Sequence, residues 1–241
     1  LVYDLSEDVT LTSTTGYSKL RHDGTTDFQV LGTESRTENV RSEVLYQELQ
    51  LNVALLNGAV DLVAGGNYFG EKSSAPNFNV TRRGTSVYPA NPGTPPNSDA
   101  GLFRIADGDT RQLSDSYGVF LSATWHATDR LNITAGARHA VDTKHYMQTR
   151  YAASDFVPAP GTTSTTVEAD KTFRALDWRA TADYHLTDDI MAYGTISKAY
   201  KAGTYSYTIQ QRLTGAAQSR GIIPTPNEEV VNYEAGLRMT L

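Results

Sequence analysis

Apolar and polar residues alternate with a period of two in five stretches of the chain. In one stretch the apolar positions are Tyr117, Val119, Leu121, Ala123 and Trp125, interleaved with Gly118, Ser122 and Thr124. Comparable rows begin at Leu45, Leu131, Leu176 and Val231. Because successive side chains of a strand point to opposite faces, each stretch predicts a strand with one apolar and one polar face. No stripe of helical period appears, so the sequence predicts an all-β chain.

Short and long connections alternate between these stretches. Short polar turns at residues 56–58, 128–130 and 187–189 contain Asn-Gly or Asp, which suit tight hairpins. Long polar stretches with most of the prolines lie between the hairpins, at residues 22–41, 72–110, 151–170 and 203–226. Loops beyond about 12–15 residues are uncommon in compact soluble domains. Short turns at one rim and long loops at the other are typical of an outer-membrane barrel.

The pattern predicts about eight long strands, at residues 9–21, 42–54, 59–71, 111–126, 130–150, 171–186, 190–202 and 227–240. A tilted strand that crosses a membrane needs about 9–11 residues, more than the five or six typical of soluble proteins. Short turns place consecutive strands side by side, which predicts an antiparallel up-and-down meander. We expect an open curved sheet with two unpaired edges, forming part of a larger transmembrane barrel.

The composition of the chain argues against several classes of function. The chain has 241 residues, a formal net charge of -6 and no cysteine, which excludes a disulfide scaffold and a thiolate metal site. Without a block of Lys and Arg, an acidic chain is a poor candidate for holding nucleic acid. The chain begins with Leu1 and ends while the last alternating pattern is still in progress. We therefore expect it to be an internal segment of a longer protein.

Several segments carry a family resemblance. Residues 124–131 are similar to residues 183–190, and the pattern of residues 135–138 recurs at 235–238, as expected of a barrel built from repeated hairpins. The motifs are found at residues 46–51 (YQELQL), 63–69 (VAGGNYF), 123–125 (ATW), 135–138 (AGAR), 197–203 (SKAYKAG) and 227–238 (NEEVVNYEAGLR). In this order, from about Val9 to the end, they resemble the barrel of TonB-dependent outer-membrane receptors.

The resemblance implies a 22-stranded barrel of the bacterial outer membrane, plugged by an N-terminal domain. Such receptors import scarce nutrients with energy from the inner membrane. The implied partners are outer-membrane lipid and lipopolysaccharide, a small-molecule substrate, and the TonB complex, which engages an N-terminal TonB box. The substrate is most often a ferric siderophore, although cobalamin, haem and carbohydrates are also carried. We expect residues 1–241 to be a partial barrel that lacks the plug and the closing C-terminal strands.

The sequence offers no set of residues for a chemical step. It contains no Gly-x-Ser-x-Gly elbow, and its five histidines lack the spacing of metal ligands. Gly65 and Gly70 have the gap of a phosphate loop, but Glu71 stands where that motif needs Lys. We therefore predict a protein that is not an enzyme and has no catalytic residues, metal site or cofactor.

Aromatic residues and arginines in the long stretches are the candidate ligand contacts: Phe78, Arg82, Arg83, Tyr88, Tyr205, Tyr207 and Arg212. Together they suit an anionic, ring-bearing ligand such as an iron chelate, through stacking and charge-assisted hydrogen bonds. Alternatively, such cations bridge lipopolysaccharide phosphates or are only solvated.

Two other classes of protein remain open at this point. One is a soluble β-sandwich that recognises carbohydrate through its loops, and the other is an outer-membrane barrel enzyme. The packing of the Leu121/Trp125 and Leu176/Trp178 rows distinguishes the sandwich from the receptor. In a sandwich a second protein layer covers these rows, whereas in a receptor lipid does.

Overall fold

A computed structural model describes residues 1–27, 34–83, 102–150, 165–205 and 224–240, with side chains for residues 1–26, 39–76, 108–149, 166–205 and 224–240. Within these ranges the chain forms nine strands and no helix. No helix that could cross a bilayer therefore occurs in the described ranges. The strands are β1 (Val2–Ser6), β2 (Val9–Asp27), β3 (Glu34–Leu55), β4 (Val60–Arg83), β5 (Leu102–Thr128), β6 (Leu131–Arg150), β7 (Thr165–His185), β8 (Ile190–Lys201) and β9 (Glu228–Met239).

All nine strands belong to one sheet, in the order β1 to β9. Each strand is antiparallel to the next. The predicted all-β meander and the open sheet are confirmed, with β1 and β9 as its edges. The sheet has one strand more than predicted, because Val2–Ser6 pairs with the start of β2. This segment has only five residues, too few for an alternating pattern to stand out.

The paired strands are also longer than their apolar stretches. Pairing continues through parts of the predicted long connections, up to Asp27↔Ser35 between β2 and β3 and Arg150↔Thr165 between β6 and β7. These extensions are rich in threonine, a β-branched residue that favours strands without making an apolar row. Thr149 and Thr166, for example, hydrogen-bond through their hydroxyls at 3.0 Å. The predicted long connections at 22–41, 72–110 and 151–170 are therefore partly strand.

The predicted short turns are present and are stabilised in two different ways. Between β3 and β4, Leu56, Asn57 and Gly58 have positive φ angles of 55°, 57° and 84°, and the Gly58 amide donates to the Leu55 carbonyl at 3.1 Å. In the next hairpin the Thr128 hydroxyl accepts hydrogen bonds from the amides of Arg130 and Leu131. Thr187 does the same for the Asp189 amide between β7 and β8.

The hairpins are staggered along the sheet. The last β3–β4 pair, Leu55↔Val60, lies in the same row as Trp125↔Ile133. The β5–β6 hairpin extends beyond that row to Leu131. Ile190, at the start of β8, lies two residues further in the same direction than the row of Leu131. Each successive hairpin therefore reaches further in one direction.

The two faces of the sheet differ in chemistry. The apolar face carries rows that begin at Leu45, Leu131, Leu176 and Tyr117, and its Leu121, Trp125 and Leu176 side chains are more than half exposed. Trp178 is partly exposed. In the described part of the chain no second layer packs on this face, which is inconsistent with a β-sandwich. The polar face is the opposite one, and it holds most of the buried side chains.

Candidate ligand-binding face

The most deeply buried side chains cluster on the polar face, toward the long-connection end of the sheet. Tyr146 and Tyr205 are each 1% exposed, and their rings stack with centroids 5.1 Å apart. Phe173, Gln112 and Ser114 are also buried there. Because these residues come from β5, β6, β7 and the segment after β8, the cluster joins strands with a distant part of the chain.

Residues 202–205, which follow β8, lie against the polar face and form part of this cluster. The Thr204 hydroxyl donates to the Gln112 side-chain carbonyl at 3.3 Å. The Thr204 amide donates to the Thr225 hydroxyl, and the Thr225 amide donates to the Thr204 carbonyl. Gly203 is required by packing, because a Cβ there would collide with the Thr225 carbonyl and the Phe173 ring. The two ends of the β8–β9 connection are thus held together on the polar face.

Two buried polar atoms in the same region have no hydrogen-bond partner among the described residues. They are the Thr110 hydroxyl and the Gln148 side-chain nitrogen, on residues that face each other across β5 and β6. Both residues are at most 2% exposed. A buried donor without a partner costs free energy, so this position suits a bound water or a polar group of a ligand.

A second polar group lies nearer the middle of the same face, around Arg138. The Arg138 guanidinium donates to the Asn67 side-chain oxygen at 3.4 Å and lies 3.9 Å from an Asp177 carboxylate oxygen. The other Asp177 oxygen is buried and lacks a partner among the described residues. The Tyr200 hydroxyl donates to Asp142 on this face. Charged and amide groups therefore continue from the cluster down the polar face.

Tyr205 is the only predicted ligand contact with a described side chain. Burial, and secondarily the charge of Asp170, raises the pKa of its phenol, so the hydroxyl stays protonated at neutral pH. Phe78, Arg82 and Arg83 lie in the paired part of β4, not in a loop as predicted. Tyr88, Tyr207 and Arg212 lie outside the described residues.

Sequence reasoning missed Tyr146, Gln112 and Gln148. Each occupies a polar-face position of a correctly predicted strand, so the alternation could have placed them on that face. Their proximity to residues 202–205 could not have been read from spacing, because it depends on the fold of a connection. In the described ranges no group of three potential metal-ligating side chains occurs.

The geometry can be compared with known proteins. The family model described as "TonB dependent receptor-like, beta-barrel" matches residues 1–241. The chain belongs to the TonB-dependent receptor family. Receptors of this family are located in the outer membrane, and the apolar face of this sheet is therefore its lipid-facing side. No curated protein matches the chain in sequence.

Solved structures agree on the fold. The ferric yersiniabactin uptake receptor FyuA from Yersinia pestis aligns with 100% of this chain and 32% of its own, at a TM-score of 0.76 and 17% identity. The ferric-catecholate import receptor Fiu from E. coli K12 aligns with 99% of this chain and 37% of its own, with a TM-score of 0.65 and 16% identity.

A copper transporter, OprC, has the same fold in this region. It aligns with 98% of this chain and 34% of its own, with a TM-score of 0.58 and 13% identity. The chain thus spans about a third of the length of these receptors. Receptors for iron chelates and for copper share the sheet, so the fold by itself does not select a substrate.

Proposed function

We propose that the protein takes part in the TonB-dependent uptake of a ferric siderophore or a similar iron chelate across the outer membrane. The observation that carries this proposal is the seating of residues 202–205 on the polar face. There Tyr205 stacks on Tyr146, next to polar atoms of Thr110 and Gln148 that have no hydrogen-bond partner among the described residues. FyuA and Fiu are both receptors for ferric compounds, which supports an iron chelate over other nutrients.

The ligand contacts in this proposal are the aromatic residues and arginines of the long-connection end: Phe78, Arg82, Arg83, Tyr88, Tyr205, Tyr207 and Arg212. A ferric chelate carries negative charge and often aromatic rings. Guanidinium groups bind its oxygens in a bidentate manner, and Tyr88 and Tyr207 stack on its rings. Tyr205, which is buried against Tyr146, holds the adjoining surface in place. These residues bind and orient the chelate, and no bond is made or broken.

The remaining parts of the transport cycle lie outside this sheet. We propose that further strands of the full-length protein close the sheet into a barrel and that an N-terminal plug connects it to the TonB complex. Outer-membrane lipid and lipopolysaccharide surround the apolar face. Arg138 and its neighbours then line the interior of the barrel, where charged groups remain hydrated.

Growth of a deletion strain tests the substrate class. Cells that lack the full-length receptor are grown under iron limitation with a panel of ferric siderophores supplied one at a time. We expect growth to fail with at least one siderophore and to return when the intact gene is supplied. Equal growth of both strains with every siderophore, or a defect only under copper limitation, contradicts the proposal.

The proposed contacts are tested by binding to the purified full-length receptor. Replacing both Arg82 and Arg83 with Gln removes two positive charges, and we expect the Kd for the siderophore identified by growth to rise at least tenfold. Arg174→Gln is the matched control, because Arg174 lies on the apolar face of β7, and its Kd should stay within twofold of the wild type. An unchanged Kd for the double variant shows that these arginines do not contact the chelate.

A further inference from the structure

Three polar side chains form a cluster on the apolar face, in β2 and β3. This polar triad consists of Ser13, Thr15 and Gln47. Thr15 and Gln47 are direct cross-strand partners, and Ser13 lies two residues before Thr15 on the same side of β2. The Thr15 hydroxyl donates to the Gln47 side-chain oxygen at 2.5 Å, and the Gln47 side-chain nitrogen donates to the Ser13 hydroxyl at 3.1 Å. The three side chains therefore form one hydrogen-bonded unit on the lipid-facing side of the sheet.

The polar triad lies near the middle of the membrane-crossing stretch. On the apolar face, β2 has five positions from Val9 to Tyr17, and Ser13 is the third of them. The first charged side chain beyond this stretch is Lys19, which lies four residues from Thr15, about 14 Å along the strand. Hydrocarbon offers no hydrogen-bond partner at this depth, so polar groups there are costly unless another protein group bonds to them.

The hydrogen bonds within the polar triad leave part of its bonding capacity unused. Ser13 accepts a hydrogen bond from Gln47, and its own hydroxyl hydrogen has no acceptor in the described part of the chain. The Gln47 side-chain oxygen accepts from Thr15 and has a second lone pair. Both side-chain N–H groups of Gln47 are used, because the nitrogen also donates to the Glu48 carbonyl at 3.1 Å. An unused donor therefore remains on β2 and an unused acceptor on β3.

Two copies of this surface complement each other. Two receptors that associate side by side as a symmetric dimer are related by a twofold axis along the membrane normal, which keeps every residue at its own depth. A polar triad in the middle of the bilayer therefore meets a second polar triad, whereas a different membrane protein needs a matching polar group at that depth. An axis between β2 and β3 places β2 of each copy opposite β3 of the other. The unused donor of Ser13 then faces the unused acceptor of Gln47 in the second copy.

The side chains around the polar triad also suit a protein contact. Tyr17, Leu45 and Leu49 adjoin it on the same face, and all three are exposed. Gly66 is the cross-strand partner of Leu49 in β4, and because it has no side chain, a neighbouring surface can approach the sheet closely at this point. Contacts between membrane-spanning segments combine such small residues with polar side chains that hydrogen-bond across the interface.

We propose that the polar triad is the centre of an interface between two copies of the full-length receptor, side by side in the outer membrane. The Ser13 hydroxyl of each copy donates to the Gln47 side-chain oxygen of the other, so the same surface contributes on both sides. The second copy replaces lipid over this part of the apolar face only. The interface lies on the opposite face of the sheet from Tyr205 and is therefore independent of which nutrient the receptor carries.

Association of the full-length receptor in lipid vesicles tests the interface. Two batches that carry different fluorophores are mixed, and energy transfer between them is measured as the ratio of protein to lipid is varied. Ser13→Ala, Thr15→Val and Gln47→Leu are combined, because these changes remove the polar groups at little change in side-chain size. The matched control combines Thr143→Val and Thr172→Val, which removes two hydroxyls on the same face that hydrogen-bond to each other at 3.2 Å.

We expect the triple variant to associate at least tenfold more weakly than the wild type, and the control to stay within twofold. Because the triple variant presents a more apolar surface to lipid, its monomer in detergent should resist urea at least as well as the wild-type monomer. Its loss of association then reflects the interface and not misfolding. A wild type with only the energy transfer of randomly distributed monomers, or a triple variant within twofold of the wild type, overturns the proposal.

Cross-linking in outer membranes gives a second measurement that leaves the polar triad intact. Leu49→Cys lies beside the triad, and Leu121→Cys is its control. Both leucines are about half exposed, and each lies six residues from the first charged side chain on its own strand and face, Glu43 and Asp115 respectively. In a full-length receptor without other cysteines, a short thiol-specific cross-linker should join two copies at least fivefold more efficiently through Leu49→Cys. Equal yields at the two positions, or a Leu49→Cys product with a different protein, contradict the proposal.

Discussion

Gly58 has the backbone conformation in the β3–β4 turn that is least compatible with a side chain. Its φ angle is 84°, and a Cβ would meet no atom within 4 Å. Any cost of adding a methyl group at Gly58 therefore arises from backbone strain and not from a clash. Leu56 and Asn57 also have positive φ, so the turn already contains one non-glycine residue, Leu56, that does not favour this region.

We predict that Gly58→Ala lowers the free energy of unfolding of the full-length receptor by about 1–2 kcal/mol. Gly194→Ala is the matched control, because Gly194 also has open space around its Cβ position but lies in strand β8 without a positive φ. We expect Gly194→Ala to be neutral or slightly stabilising. Urea titrations of the receptor in detergent measure both, and equal effects would show that the turn is not strained.

At the scale of a strand, the apolar face of β5 has a defined length. Apolar side chains run from Trp125 to Tyr117, and the next position on this face is Asp115. On the same face, the first charged residue at this end of the row is Lys19 in β2, Glu43 in β3 and Lys72 in β4. On this face each of these strands therefore carries no charged side chain over about the 9–11 residues that a membrane-crossing strand requires, although Ser13, Thr15 and Gln47 are polar.

The depth of a position along β5 should decide the cost of a charge there. Leu121 lies in the middle of the apolar stretch, so we predict that Leu121→Arg costs about 2–4 kcal/mol of folding free energy in a bilayer. Leu113→Arg places the same charge on the same strand and face beyond Asp115, and should cost about 0–1 kcal/mol. Refolding into lipid vesicles measures both. Equal costs would contradict the placement of the bilayer along this strand.

The period of two was sufficient to predict β2 to β9 and their faces, because lipid on one side favours alternation. It could not predict where the strands end. Beyond the bilayer both faces meet water, so residues such as Thr149 and Thr166 pair without an apolar row to mark them. For the same reason Phe78, Arg82 and Arg83 were expected in a loop, whereas they lie in β4.

The candidate site was predictable only in its residue types. The aromatic and arginine content of the long connections indicated an anionic ligand, and Tyr205 was among the residues named. Its stacking on Tyr146, and the bond from Thr204 to Gln112, join residues 59 and 92 positions apart. Contacts of this kind depend on how one connection folds onto the sheet, and no local pattern encodes them.

At the scale of the whole molecule, the open sheet leaves the outer edges of β1 and β9 without partners in the described part of the chain. Exposed edges combined with a large apolar face favour aggregation. We predict that residues 1–241 expressed alone form insoluble or associated material, whereas the full-length receptor is extracted from outer membranes with detergent. Recovery of folded, monomeric 1–241 protein from the aqueous fraction would be inconsistent with a lipid-facing sheet.

The stagger of the hairpins also sets the slope of the strands. Between the first residue of β2 and the last residue of β9, the edge of the sheet that carries the short turns shifts by six residues along the strand direction. This shift accumulates over seven steps from one strand to the next. With about 3.4 Å per residue and about 4.8 Å per strand, this displacement inclines the strands by about 30° from the perpendicular to that edge. The stretch from Tyr117 to Trp125 then rises about 24 Å, close to the roughly 25 Å height of the hydrocarbon layer that such proteins cross.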